Sequence, residues 1–122
     1  MPQDAALIRA LEGSWCVSDD VGKTCWGYDT FLADGTVQSC GIIPETKKSF
    51  RAKASFKVIG ATACYEVTGS DDLTSFPVGS KFCAKVLAID DKSQRYKHLD
   101  TGETLTTYRV PTSRVNCLGD AG

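Results

Sequence analysis

The rhythm of apolar and polar residues changes at Gly13. Before it, the stretch Asp4-Ala5-Ala6-Leu7-Ile8-Arg9-Ala10-Leu11-Glu12 sets Leu7, Ile8 and Leu11 on one helical face. Asp4 can cap its start and Gly13 can stop its end, so a short amphipathic helix is expected over about 4–12. After Gly13 the chain divides into runs rich in β-branched and aromatic residues, at about 14–19, 24–33, 35–43, 49–59, 63–69, 80–89, 94–99 and 103–110. Turn-forming residues separate them. The strongest signal, Asp34-Gly35, reads as a two-residue type I′ hairpin. Eight runs with short connections predict an antiparallel meander, and closing it into a barrel removes both exposed edges. The expected fold is all-β: an eight-stranded antiparallel up-and-down barrel over about 13–110, with the helix before it and an aperiodic tail over 111–122.

Side chains alternate faces along a strand. With the cysteines outward, the inward set begins with Trp15, Val17, Trp26, Tyr28, Leu32, Val37, Ser39, Gly41 and Ile43. The fourth run alternates best, with Phe50, Ala52, Ala54, Phe56 and Val58 inward and Arg51, Lys53, Ser55 and Lys57 outward. Tyr65, Val67, Phe82, Ala84, Val86 and Ala88 continue the inward face, which leaves Leu87 and Ile89 outside, covering a seam with the helix. Ser39, Gly41, Ala52, Ala54, Ala84 and Ala88 are small and leave volume, whereas Trp15, Phe50, Phe56 and Phe82 remove it. An eight-stranded barrel is just wide enough for packed side chains or one small ligand. A plug at one end and a pocket at the other is therefore expected, with a completely filled barrel as the alternative.

At 122 residues the chain suits a single domain, 1–122, that buries roughly 65% of its unfolded surface. Fourteen Lys and Arg against fifteen Asp and Glu give a net charge of −1, which removes the electrostatic footprint of a nucleic-acid binder. The longest apolar run, Val86-Leu87-Ala88-Ile89, is far below the ~20 residues of a membrane span. Six cysteines are an excess for this length, and none has the spacing of a zinc ribbon or a thioredoxin-type motif. Cys16 and Cys25 centre on a turn near Asp20 and Val21, and Cys64 and Cys83 on one near Leu73 and Thr74, so each pair can face across a hairpin. Cys40 and Cys117 remain, in one of fifteen possible connectivities. Disulfides imply a periplasmic or secreted protein whose leader is absent from this chain; free thiols would place it in the cytoplasm.

Gly13-Ser14-Trp15, after a helix and at the head of the first strand, resembles the G-x-W opening of the lipocalin and wider calycin group. The segment Gly27-Tyr28-Asp29-Thr30-Phe31-Leu32-Ala33-Asp34-Gly35-Thr36 is similar to the second strand and turn of small bacterial lipocalin-like domains. The resemblance covers 5–36 and 104–117. It implies that Trp15 closes the barrel floor and that a basic residue from the last strand, Arg109 with Arg114 as substitute, packs across it. A Cys40–Cys117 bridge would be similar to the strand-to-tail disulfide of many lipocalins. The chain also looks like the small periplasmic metalloprotease inhibitors of Gram-negative bacteria, which bind through an N-terminal segment rather than the lumen.

Candidate chemistry is sparse. His98 is the only histidine and faces the same way as Tyr96. No G-x-S-x-G elbow is present, and Gly22-Lys23-Thr24 lacks the leading glycine of a P-loop. The aspartate pairs at 19–20, 71–72 and 90–91 read as solvated turns, and no metal set or cofactor motif emerges. The leading expectation is a carrier for a small, mostly apolar ligand contacted by Tyr28, Ala52, Ala54, Tyr65, Ala84, Tyr96 and His98. The alternatives are a protein-interaction module that uses loops or helix and, last, an enzyme using Tyr28, Tyr96 and His98 as acid and base.

Overall fold

The computed structural model describes residues 4–117. Helix α1 (Asp4–Leu11) is followed by β1 (Gly13–Val17), β2 (Gly27–Phe31), β3 (Thr36–Ile42), β4 (Ser49–Ile59), β5 (Thr62–Ser70), β6 (Lys81–Ile89), β7 (Ser93–His98) and β8 (Thr104–Val110). Each strand pairs antiparallel with the next, and β1 pairs with β8, so the sheet closes into an eight-stranded barrel. The side-chain alternation of β4 is as expected: Phe50, Ala54, Phe56 and Val58 are buried while Arg51, Lys53 and Lys57 are exposed. The aspartate pairs serve turns, where Asp20, Asp72 and Asp90 accept backbone N–H groups. Among the described residues no helix is long and apolar enough to cross a membrane.

One end of the barrel is sealed by α1. Leu7, Ile8 and Leu11 pack against a core that includes Trp15, Phe31, Val37, Phe56 and Val58. Full burial of side chains of this kind stabilises by about 1.5–3 kcal/mol each. The Trp15 indole N–H donates to the Leu11 carbonyl at 2.8 Å. Arg109 lies 4.1 Å above the Trp15 ring, and its guanidinium donates to the Glu12 carbonyl at 2.8 Å and to the Ala10 carbonyl. Carbonyls at a helix C-terminus lack intrahelical partners and sit at the negative end of its dipole, so a cation is well placed there. Gly13 makes this possible: its φ is +115°, and a Cβ on it would come 2.6 Å from an Arg109 nitrogen. Gly13, Trp15 and Arg109 thus meet at this end of the barrel. Arg114 instead reaches the Gly22 and Lys23 carbonyls on the outside.

Three disulfides form: Cys16–Cys25, Cys40–Cys117 and Cys64–Cys83. No cysteine of the described chain is free. Cys64 and Cys83 face each other across β5 and β6. The pairing of Cys16 with Cys25 has another basis than the one expected. Cys16 lies opposite Tyr28, and Cys25 precedes β2, so this bridge joins a strand to a loop. Cys40–Cys117 holds the tail, with its short helical turn Thr112–Arg114, against the outer wall. Residues 118–122 of the expected tail and the capping side chain of Asp4 lie outside what is described.

The inward assignments of two strands, β2 and β6, are corrected. The turn at 32–36 closes through Gly35 N–H to the Leu32 carbonyl and Leu32 N–H to the Thr36 carbonyl, with Gly35 at φ +87° and Asp34 not left-handed. That is a three-residue connection, not a two-residue type I′ turn. The extra residue moves the register by one and turns β2 over. Asp29 therefore lies opposite Trp15 and Ser39 and faces inward with Phe31. Tyr28 faces outward and is 1% exposed, packed with Cys16, Cys25 and Val110. Trp26 and Leu32 fall outside the strand. On β6 a bulge at Leu87 reverses the remaining alternation, so Ala88 is exposed opposite Arg95 while Ile89 turns in opposite Gln94 and joins the floor core.

Candidate ligand-binding site

The half of the barrel away from α1 holds a cavity of about 590 Å³. It opens among Ser18, Asp19, Trp26, Phe76 and Glu103, which belong to the connections opposite the helix. Small side chains create the space: Ser39, Ala52, Ala54 and Ala84 all line it. Aromatic rings shape it. Tyr65 and Phe82, neighbours across β5 and β6, stack with centroids 4.9 Å apart, and Phe82 stacks on His98 at 5.7 Å. At the mouth Phe76, carried by the 71–80 connection, stacks on Phe50 at 4.9 Å.

A few polar groups meet this apolar surface. The Ser39 hydroxyl donates to Asp29 Oδ1 at 2.6 Å. Burial pushes the Asp29 carboxyl above its ordinary pKa, and the Ser39 hydrogen bond opposes that in part. Burial first, and the Asp29 charge second, push the Tyr65 and Tyr96 phenols up. Both therefore stay protonated as hydrogen-bond donors through neutral pH. Among the described residues, His98 Nδ1 and Thr107 Oγ1 are buried without a hydrogen-bond partner. A buried polar atom left unpaired costs roughly 1–3 kcal/mol, so such atoms are uncommon in native interiors.

Of the residues expected at the site, Ala52, Ala54, Tyr65, Ala84, Tyr96 and His98 line the cavity. Tyr28 borders it along β2, but its ring belongs to the outer cluster. Sequence reasoning missed Asp29, Thr107 and Phe76. Asp29 follows only if the connection around Asp34 is counted as three residues, which places 29 opposite the inward Ser39, and the composition of that segment does not make the choice. Phe76 lies in a connection, where alternation carries no information.

No protein-family model matches the sequence, and no curated protein matches it. Solved structures do. A lipocalin-like protein from Bacteroides uniformis ATCC 8492 superposes with a TM-score of 0.62 at 13% identity, over 83% of this chain and 99% of that one. The fold is lipocalin-like. An uncharacterized protein from Bacteroides eggerthii DSM 20697 gives a TM-score of 0.59 at 13% identity, over 82% of this chain and 99% of that one. At this identity the likeness is one of architecture. The three disulfides of this lipocalin-like barrel suit an oxidising, extracytoplasmic environment.

Proposed function

We propose that this lipocalin-like barrel binds a small, mostly apolar ligand in its lumen and acts as a carrier or sensor in the periplasm or outside the cell. The observation that carries this reading is the 590 Å³ cavity into which two buried, unpartnered polar atoms, His98 Nδ1 and Thr107 Oγ1, are built. Pockets of ~300–1,000 Å³ with apolar walls and a few fixed polar groups are typical of small-molecule sites. The ligand's apolar body contacts Ala52, Ala54, Phe82 and Ala84, and its polar end meets Tyr65, Tyr96 and His98. Leu73 and Val78, 64% and 55% exposed on the 71–80 connection, give an apolar ligand a greasy approach to the mouth. Of the competing reading, a protein-interaction module working through loops or helix, the helix route is disfavoured because Leu7, Ile8 and Leu11 are packed into the floor.

The neutral apolar dye N-phenyl-1-naphthylamine tests the proposal. Its fluorescence should rise on mixing with the protein and titrate to one equivalent. Ala84→Trp, which fills the cavity beside His98, should abolish the signal while the melting temperature stays cooperative. Binding that is absent in the wild type, or that survives Ala84→Trp, overturns lumenal binding.

A further inference from the structure

Asp29 is the one lumen-facing carboxylate on β2, and its surroundings are unusual for an acid. Trp15 stands beside it on β1 and Ser39 on β3. Among the described residues its hydrogen-bond partner is the neutral Ser39 hydroxyl, and no Lys or Arg pairs with it. Arg109, the nearest inward cation along the ladder, lies on the other side of Trp15 and is engaged by the Glu12 and Ala10 carbonyls. An anionic group held in a poorly hydrated pocket is costly until a cation reaches it. The Tyr65–Phe82–His98 stack and Tyr96 line the same space, offering ring faces to a positive charge and apolar surface to the rest of a ligand.

From this juxtaposition, and resting on the reading that the lumen binds a ligand, we infer that the barrel selects ligands bearing a cationic amine on an apolar, ring-containing body, with Asp29 as the counter-ion at the base of the cavity. The body extends from there toward Phe50 and Phe76 at the mouth. An ammonium beside the carboxylate reverses the burial penalty that holds its pKa up. A carboxylate ligand meets repulsion from the same group, and a neutral alcohol gains a hydrogen bond without charge neutralisation. His98 Nδ1 and the two phenols remain available for further polar atoms on the ligand.

Displacement of N-phenyl-1-naphthylamine by three indole compounds of similar size separates these cases: tryptamine (cationic), tryptophol (neutral) and indole-3-propionate (anionic). Tryptamine should displace the dye at about tenfold lower concentration than tryptophol, with indole-3-propionate weakest. Asp29→Asn keeps the shape and an acceptor for Ser39. It should weaken tryptamine about tenfold and leave tryptophol within about twofold. If the dye binds but tryptamine ranks no better than tryptophol, the amine inference falls and lumenal binding stands. If neither the dye nor any indole binds, both fall. The wild-type ranking decides the matter even if the Asn variant does not fold.

Discussion

At the helix end of the barrel, inward polar groups are matched: the Trp15 N–H has the Leu11 carbonyl and the Arg109 guanidinium has those of Glu12 and Ala10. Toward the mouth, His98 Nδ1 and Thr107 Oγ1 have none, and Asp29 has Ser39 alone among the described residues. The same eight strands build both halves. What differs is side-chain size and what covers the ends. Large rings and α1 fill the floor, while alanines and connecting loops leave the mouth hollow. The mouth side is held from outside instead, by Cys16–Cys25 at its first loop and by Cys40–Cys117 along β3. Packing is therefore concentrated at one end and unsatisfied chemistry at the other.

Breaking the external staples should have the largest effect. By the chain-entropy argument, Cys40–Cys117, closing 77 residues, contributes about 4–5 kcal/mol, against about 2.5 and about 3.2 kcal/mol for the other two, which close 9 and 19. Single domains are typically stable by ~5–15 kcal/mol in total. Dithiothreitol should therefore unfold most of the protein, and Cys40→Ser with Cys117→Ser should lower the urea midpoint more than removal of either other pair. An unmoved midpoint would refute the assignment of stability to the bridges. Next, Trp15→Ala should cost about 3–5 kcal/mol, because it opens a cavity beneath α1. Phe76→Ala, at the mouth, should cost clearly less and show itself as weaker dye binding. Equal losses at the two positions would erase the distinction between floor and mouth.

Arg109→Leu comes next. It keeps apolar cover over Trp15 but removes the clamp on α1, and should cost about 2 kcal/mol in urea unfolding. The smallest effect has the opposite sign. Burial raises the pKa of Asp29 in the folded protein above its unfolded value. Its folded state then holds the proton more tightly, so its contribution to stability is fully present below the unfolded pKa and is lost as pH rises through the folded pKa. Asp29→Asn should accordingly raise the melting temperature by a few degrees at neutral pH, with the gain shrinking as the pH falls toward 4. A variant that is less stable at pH 7 would mean that the carboxylate is held by something besides Ser39.

The eight strands were legible because turn residues punctuate them and because β4 alternates Phe, Ala, Ala, Phe, Val against Arg, Lys, Ser, Lys. The floor was legible through Gly13, Trp15 and Arg109, which a family resemblance ties together. Most of the cavity wall followed from those strands. The faces of β2 and the end of β6 did not. Nothing in Leu32-Ala33-Asp34-Gly35 distinguishes a two-residue from a three-residue connection by composition, yet one residue exchanges Tyr28 for Asp29 in the lumen. The rule that apolar residues go inside then favours the wrong answer, since Tyr28 finds its apolar surroundings on the outer wall. The Leu87 bulge has no marker such as glycine. Both failures concern register, which long-range pairing sets and local pattern does not.

The pairing of β1 with β8 carries a consequence for how the molecule comes into being. The first strand cannot acquire its second neighbour until residues 104–110 exist, so a nascent or truncated chain that stops before Thr104 is an unzipped ribbon with two raw borders, prone to recruit copies of itself. Assembly is thus all-or-nothing with respect to chain length, and a stop just before Thr104, which removes residues 104–122 and with them all of β8, should leave the other seven strands unable to close.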